Sequence, residues 1–329
     1  MSGVKDSKLV LLSLCRLLLT QSDEQHPMTA GKLIELLAAE GYHTERKTIY
    51  RHIEALCSFG LDVLHSEDAP RGYYVVSRDF DLTELRLLID AVESSYFITH
   101  KKSAELIDKL AALASVHEAE RLKKGLHLDT VSKTDNEKTY YYIDAIYKAI
   151  ATDMRVEFKY LEFTPTGEKH YRQDGQKYVV SPYAVVCDGG RYYLHAYHEK
   201  YDTISSFRID LMESVSVSKL KRLKSDEYAD YDPVVRGKTS FDQFGGTLVR
   251  VVARFDNSLA GALISRFGDD VKMETSGDGH FTAAFDAELS PRFFAWVFGF
   301  GGKVRLLSPK AAVTRYVNEL ERVRALYGE

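Results

Sequence analysis

Side chains able to bind nucleic acid are concentrated between residues 44 and 51, in the stretch TERKTIYR. Arg and Lys can pair with phosphates or with guanine O6 and N7, and Thr can reach either a base or a phosphate. Such a cluster is suited to contact with double-stranded DNA if one surface presents it. The candidate DNA contacts in this stretch are Thr44, Arg46, Lys47, Thr48, Tyr50 and Arg51.

The helix that must position these side chains is predicted from its apolar spacing. The apolar positions recur at i, i+4 and i+7 and are Ile49, Ile53 and Leu56. Such a stripe faces a core. At about 100° per residue, Lys47 and Arg51 then lie on the opposite face. We expect the Thr44 hydroxyl to cap the first turn and Gly60 to end the helix.

Two neighbouring elements complete the arrangement. A preceding helix is predicted between Thr29 and Gly41, and a short turn joins it to the next helix. Residues 61–65 and 72–76 are predicted as two strands, with Arg71 at the turn between them. Helix, turn, helix and hairpin in this order place one helix in the major groove and a wing beside it. A merely solvated charged face is the alternative, and the hairpin favours DNA binding over it.

A known family shares this pattern. TERKTIYRHIEAL followed by PRGYYV resembles the winged helix-turn-helix of bacterial regulators that have a WYL domain. This resemblance covers residues 1–78 and implies that they form a DNA-binding domain. Sugar-responsive repressors of the DeoR type share the general shape. A DeoR-like regulator that responds to a small phosphorylated metabolite therefore remains the alternative.

The pattern changes twice after the hairpin. Residues 79–138 are mainly helical in pattern, which predicts a helical connector that joins domains or makes a dimer contact. Residues 139–222 begin with the helical stretch YYYIDAIYKAIA and continue as short strands with frequent turns. Strands of this kind are typical of a small, strongly bent sheet or barrel.

One of these strands contains the signature of the same family. RYYLHAY resembles the motif that names the WYL domain, with Tyr192, Tyr193 and Leu194 where Trp-Tyr-Leu is usual. VSPYAVV and SFRID resemble the strands that flank it. The resemblance implies an Sm-like small β-barrel over residues 139–222 that senses a ligand, with oligonucleotides as the best-supported class.

The signature strand predicts a candidate ligand site. Alternate side chains of a strand share a face, so Tyr193, His195 and Tyr197 point the same way. An aromatic and imidazole face beside Arg208 is suited to stacking a base and pairing with a phosphate. Core tyrosines and a structural histidine are the alternative. With the family resemblance, the predicted ligand-binding residues are Ser181, Tyr183, Tyr193, His195 and Arg208.

The rest of the chain predicts a linker and a third unit. Residues 223–245 are predicted as the linker, and residues 246–329 show the order β-α-β-β-α-β followed by a terminal helix. This order is the ferredoxin-like split unit, and it resembles the C-terminal extension of many WYL regulators. Such extensions are implicated in dimerisation or in modulating the ligand domain. The predicted fold class is therefore α+β with several domains.

Composition limits the remaining possibilities. A chain of 329 residues predicts two or three domains. Its net charge is −4, so attraction to DNA must be local, which favours a specific binder over a coat protein. The three scattered cysteines argue against a disulfide framework and a zinc site. The N-terminal run LVLLSLCRLLL is too short to span a membrane, so we expect a cytoplasmic protein with no membrane partner.

An enzyme is the main competing class. The chain lacks GxSxG, HExxH, a Walker loop and a GxGxxG after a strand. We therefore predict no catalytic residue, metal or cofactor. The predicted function is a homodimeric regulator, with repression favoured, that binds a double-stranded operator. Its predicted effector is single-stranded DNA or a nucleotide.

Overall fold

The computed structural model describes residues 7–124, 133–223, 231–243 and 245–328. The chain forms two compact units, residues 1–137 and 138–329. Parts of the segments predicted from the sequence lie outside the described residues, namely 1–6 of the first domain, 125–132 of the connector, and 224–230 and 244 of the linker.

The first unit begins with three helices and a hairpin. These elements are α1 (Ser7–Gln21), α2 (Ala30–Ala39), α3 (Arg46–Phe59), β1 (Val63–Ser66) and β2 (Gly72–Val75). The three helices bury their apolar stripes in one core, which includes Leu14, Leu33 and Ile49. The Thr29 side chain caps α2 by accepting from the Lys32 N–H at 3.1 Å. The predicted order of helix, turn, helix and hairpin is the observed one.

The predicted cap of α3 is wrong. Thr44 lies two residues before the first helical residue, and Glu45 stands at the N-cap without a side-chain hydrogen bond. The reason is visible in the backbone, because the Glu45 carbonyl accepts the first helical N–H groups, from Thr48 at 3.0 Å and Ile49 at 3.1 Å. Gly60 ends the helix in the left-handed conformation, as predicted.

The hairpin is joined to the helices by a third short strand segment. Met28 and Tyr73 exchange two backbone hydrogen bonds of 2.8 Å, which extends the β1–β2 pair by one bridge. Gly72 makes this possible, because its φ is +147° and a Cβ there would lie 2.5 Å from the Met28 carbonyl carbon.

Gly72→Ala is expected to destabilise the first unit by about 1–3 kcal/mol, since a positive φ and a backbone clash both oppose the added methyl group. Thermal unfolding followed by circular dichroism measures this loss. Gly41→Ala is the matched control, because Gly41 has a φ of +87° with nothing within 4 Å of a Cβ. Equal losses in the two variants would show that the Met28 contact is irrelevant.

Three further helices complete the first unit, where the sequence predicts a helical connector. They are α4 (Leu82–Ser94), α5 (His100–Ala111) and α6 (Val116–Lys123). They share a small core that includes Leu85, Ile89 and Ile107. The start of α6 is tied to the end of the α1 region, where the Ser115 hydroxyl donates to Asp23 Oδ2 at 2.5 Å.

The second unit opens with a helix and an antiparallel sheet. The elements are α7 (Thr139–Ala151), β3 (Met154–Phe163), β4 (Lys169–Tyr171), β5 (Tyr178–Asp188), β6 (Arg191–His198), β7 (Thr203–Arg208) and β8 (Met212–Lys221). The strand order is β4-β3-β5-β6-β7, and β8 also pairs with β3. Phe158, Leu194 and Ile146 pack in the core between this sheet and α7.

The sequence predicts a small, strongly bent sheet or an Sm-like barrel over residues 139–222. Within the described residues, no hydrogen-bonded pairing joins β7 to β8. The sheet is therefore a half-barrel with β7 as one edge. Residues 203–208 of β7 line a cavity.

The segment predicted as a linker contains a helix, α8 (Pro233–Thr239). The elements that follow are β9 (Thr247–Asp256), α9 (Ala260–Phe267), β10 (Lys272–Thr275), β11 (His280–Leu289), α10 (Pro291–Phe298), β12 (Val304–Ser308) and α11 (Lys310–Ala325). The antiparallel sheet has the order β10-β11-β9-β12. The predicted order β-α-β-β-α-β is thus observed, and Trp296 packs against the core of this fold.

Candidate functional site

The exposed face of α3 presents most of the predicted DNA contacts. Arg46, Lys47, Tyr50 and Arg51 are exposed, and Thr48 is half-buried. The buried residues of the helix are Ile49, His52, Ile53 and Leu56. The helix therefore separates a polar, basic face from an apolar one, as its sequence pattern predicts. Thr44 is half-buried just before the helix.

The cations of this face are available for a ligand. In the described part of the chain, no carboxylate lies within 4.0 Å of the charged groups of Arg46, Lys47 or Arg51. A surface cation without an internal ion pair can pair with a phosphate without first losing a partner. The two carboxylates on the helix surface, Glu45 and Glu54, do not pair with these cations.

The hairpin holds its own candidate contact. Arg71 is exposed, and its Nε donates to the Glu67 carbonyl at 2.6 Å. This bond orients the guanidinium without neutralising it. Tyr50 of α3 contacts Tyr73 of β2, with ring centroids 6.2 Å apart. The helix and the hairpin therefore form one continuous surface.

The signature strand β6 has two different faces. Leu194 and Ala196 are fully buried in the core of the sheet. Tyr193, His195 and Tyr197 lie on the opposite side by strand alternation. The two faces are those that the sequence predicts.

His195 is completely buried and hydrogen-bonded at both ring nitrogens. Nδ1 contacts the Tyr231 hydroxyl, and Nε2 lies 2.5 Å from Gln243 Oε1. Burial lowers the pKa of His195 from 6.5 to about 4, so the ring is neutral at pH 7. His195 does not line the cavity described below, but both of its partners do.

Tyr193 and Arg208 are brought together as predicted. They face each other on β6 and β7, and both line the cavity. Burial opposes the charge on Arg208, but the hydrogen bonds with Asp210, at 2.7 and 3.2 Å, outweigh it and raise the Arg208 pKa. Burial also raises the Tyr193 pKa, which keeps the phenol protonated.

Ser181 and Tyr183 lie away from this pair. Ser181 is buried, and its hydroxyl accepts from the Leu223 N–H at 2.9 Å. The Tyr183 ring packs edge-on against Tyr231, with centroids 5.5 Å apart. Neither residue is part of the cavity wall. Tyr183 therefore packs against a residue that lines the cavity, whereas Ser181 binds the backbone at Leu223.

The cavity itself is large and lined by arginine and tyrosine. Its volume is about 1550 Å³. The cations are Arg172, Arg191, Arg208, Arg236 and Arg292. The phenols are Tyr160, Tyr178, Tyr193, Tyr201 and Tyr231. Four carboxylates also line it, namely Asp188, Asp232, Asp242 and Glu288. Guanidinium groups beside phenol rings can pair with phosphates and stack with bases.

Most residues that line the cavity were not predicted from the sequence. Arg191 could have been found, because it is two residues before Tyr193 and so shares its face. Arg236 and Arg292 come from α8 and α10, far along the chain, and no local pattern points to them. Tyr231 and Gln243 belong to the segment predicted as a linker.

Two other kinds of feature are absent from the described residues. No group of three or more His, Cys, Asp or Glu side chains in the described ranges could hold a metal ion. No helix in the part of the chain that the structure describes is long and apolar enough to cross a membrane.

Comparison with known proteins agrees with this architecture. Residues 141–217 match the WYL domain family, and residues 247–324 match the WCX domain family. The chain is 22% identical over 331 residues to the uncharacterized HTH-type transcriptional regulator YobV of Bacillus subtilis (strain 168). That match covers 96% of this chain and 98% of the relative.

Two solved structures are also similar. Proteasome accessory factor B/C (PafBC) of Arthrobacter aurescens is 16% identical, with a TM-score of 0.29, over 95% of this chain. The chain spans about half of PafBC, 47% of its length. A CRISPR Cas-related protein is 14% identical, with a TM-score of 0.36, over 91% of this chain and 72% of that protein. The chain thus contains a WYL domain match and a WCX domain match, and it is similar over its whole length to an HTH-type transcriptional regulator.

Proposed function

We propose that this protein is a sequence-specific DNA-binding regulator, acting as a repressor, whose WYL domain senses a nucleic-acid-like ligand. Residues 1–78 bind the operator, and the cavity beside β6 and β7 binds single-stranded DNA or a nucleotide. Residues 79–138 connect the two, and residues 246–329 extend the ligand domain. We propose no enzymatic activity, metal or cofactor.

The DNA-binding part of the proposal rests on α3. Its exposed face has three cations that lack an ion-pair partner among the described residues, and such a face is suited to phosphates and base edges. The hairpin beside it supplies Arg71 as a second contact. Because the net charge of the chain is −4, this local arrangement must provide the attraction.

The ligand-binding part rests on one observation, the pairing of Tyr193 with Arg208 in a cavity lined by five arginines and five tyrosines. Four residues of the wall also have a buried polar atom without a hydrogen-bond partner in the described ranges, namely Tyr178, His198, Ser206 and Arg236. Such atoms are uncommon in folded proteins. A polar ligand in the cavity could pair with them after small side-chain movements.

The size of the cavity favours an oligonucleotide over a small phosphorylated metabolite. Sites for small molecules usually measure about 300–1,000 Å³, and this cavity is about 1550 Å³. A sugar phosphate has a single phosphate group, whereas five guanidinium groups line the cavity.

The test combines selection with titration. Operator DNA is selected from a random pool with the full-length protein, and its binding is then measured by fluorescence anisotropy. A mixed-sequence single-stranded DNA hexamer, a nucleoside monophosphate and a sugar phosphate are added in turn. A change in operator affinity with the hexamer or the nucleoside monophosphate, but not with the sugar phosphate, supports the proposal. If no operator sequence is enriched, or if only the sugar phosphate changes operator affinity, the proposal is contradicted.

Arg51→Ala should weaken operator binding by about 1–3 kcal/mol while leaving binding to random DNA nearly unchanged, because Arg51 is placed to contact a base. Arg71→Ala should weaken both about equally, because the wing contacts phosphate. Anisotropy titrations against the operator and a scrambled duplex separate the two effects. Small and equal losses in both variants would mean that this face is only a solvated surface.

A homodimer is expected to bind an inverted repeat with half-sites ~34 Å apart, or a multiple of that. One helix contacts too few bases to specify a genomic site by itself. Light scattering of the free protein and of its operator complex measures the stoichiometry. A monomer in both samples would contradict the expectation.

A further inference from the structure

Residues 231–243, called the strap here, meet one histidine at both of their ends. Tyr231 opens the strap and Gln243 closes it, with α8 between them. Tyr231 contacts His195 Nδ1 and Gln243 contacts His195 Nε2. A single side chain of β6 therefore fixes the two ends of the strap.

The protonation of this cluster follows from its hydrogen bonds. Gln243 Nε2 donates to Asp188 Oδ2 at 2.8 Å, so its Oε1 is the atom that faces the histidine and can only accept. His195 Nε2 therefore bears the proton, and Nδ1 accepts from the Tyr231 hydroxyl. Burial raises the Tyr231 pKa to about 12, which keeps that hydroxyl a donor.

The strap also holds residues of the cavity wall. Arg236 of α8 donates to the Ile204 carbonyl on the open edge of β7 at 3.2 Å. The Arg236 Nε lies 3.8 Å from Glu288 Oε1, on the WCX strand β11. The strap thus connects the edge of the WYL sheet with the WCX domain.

The far end of the strap is anchored in the WCX core. Phe241 is buried there, with its ring centroid 5.3 Å from that of Trp296. The Arg266 guanidinium lies over the Phe241 ring at 4.4 Å and donates to the Gly237 carbonyl at 3.3 Å. Movement of the strap would therefore change the surroundings of Trp296.

We propose that His195 is a positioning residue: it holds the strap against β6 by both ring nitrogens, and so sets where Arg236 and Gln243 stand in the cavity. The ligand does not contact His195. The consequence for ligand binding rests on the proposed function, but the consequence for the strap does not.

The chain has a built-in reporter for this proposal, because Trp296 is its single tryptophan. His195→Leu removes both hydrogen bonds and is expected to red-shift Trp296 emission and increase its quenching by acrylamide. His195→Gln keeps one donor and one acceptor and should restore most of the wild-type signal. Tyr231→Phe removes one bond only and should give an intermediate signal.

Tyr197→Phe is the matched control on the same face of β6, because its hydroxyl donates to Asp202 at 2.7 Å. It should leave Trp296 unchanged. Affinity for the single-stranded DNA hexamer is measured in parallel, and His195→Leu should weaken it about tenfold, a difference of about 1.4 kcal/mol. His195→Gln should again restore it.

The outcomes separate the two proposals. Unchanged Trp296 emission and hexamer affinity in His195→Leu, with only a lower Tm, would overturn the positioning role. If His195→Leu does not fold, equal signals from Tyr231→Phe and wild type overturn it. If the wild type binds neither the hexamer nor a nucleoside monophosphate, the proposed ligand-sensing function fails, and Trp296 emission still decides the role of His195.

Discussion

Arg208→Ala should abolish the response of operator binding to the single-stranded DNA hexamer and leave basal operator binding intact. A charge-assisted contact contributes about 1.5–3 kcal/mol, which reduces ligand affinity by about tenfold or more. The ligand can shift operator affinity only through its different affinities for two protein states. Losing the contact with Arg208 therefore removes the response as well as the binding.

We expect this variant to remain folded. Arg208 is paired with Asp210, which lies 3.7 Å from Arg191 as well. Asp210 thus keeps a nearby cation when Arg208 is removed. Anisotropy of the labelled operator with increasing hexamer measures the response, and Tm measures folding.

Arg250→Ala is the matched control, because Arg250 is exposed and paired with Asp286 outside the cavity wall. It should respond to the hexamer like the wild type. A normal response in Arg208→Ala would place the ligand site elsewhere. A large loss of Tm would show instead that Arg208 is structural.

Acid should destabilise the second unit of the wild type more than that of His195→Gln. Burial lowers the pKa of His195 from 6.5 to about 4 in the folded protein. As the pH drops below 6.5, the unfolded chain binds the proton first, so folding loses stability progressively down to about pH 4. This pKa difference corresponds to about 3 kcal/mol of folding stability. That stability is present in full at pH 7.

Urea unfolding followed by Trp296 emission measures this between pH 7 and pH 4. The slope of the unfolding free energy against pH is compared between the wild type and His195→Gln. Glutamine does not titrate, so the variant lacks the contribution of residue 195 to that slope. Identical slopes for the wild type and His195→Gln would contradict a buried neutral imidazole.

The sequence alone determined the elements whose signals are local. The apolar period of Ile49, Ile53 and Leu56 placed α3 and its exposed basic face. The alternation along β6 placed Tyr193 and His195 on one side and Leu194 on the other. These patterns are readable because a helix or a strand repeats its faces within a few residues.

The local pattern does not determine where an element begins or whether a sheet closes. The observed N-cap of α3 is one residue after Thr44, because Glu45 supplies the first helical carbonyl. A threonine followed by a helical pattern does not specify which carbonyl accepts first. The sequence likewise predicts a strongly bent sheet or barrel but not whether it closes, since closure depends on whether β7 and β8 pair across the sheet.

Only the tertiary structure decided what surrounds His195 and what lines the cavity. Tyr231 and Gln243 are 36 and 48 residues from the histidine. Arg236 and Arg292 reach the cavity from two helices outside the WYL sheet. Hydrogen bonds and burial between distant segments leave no periodic trace in sequence, because they depend on how separate elements pack. His195 was predicted to contact the ligand. It is not among the residues that line the cavity, but it contacts two that are, Tyr231 and Gln243.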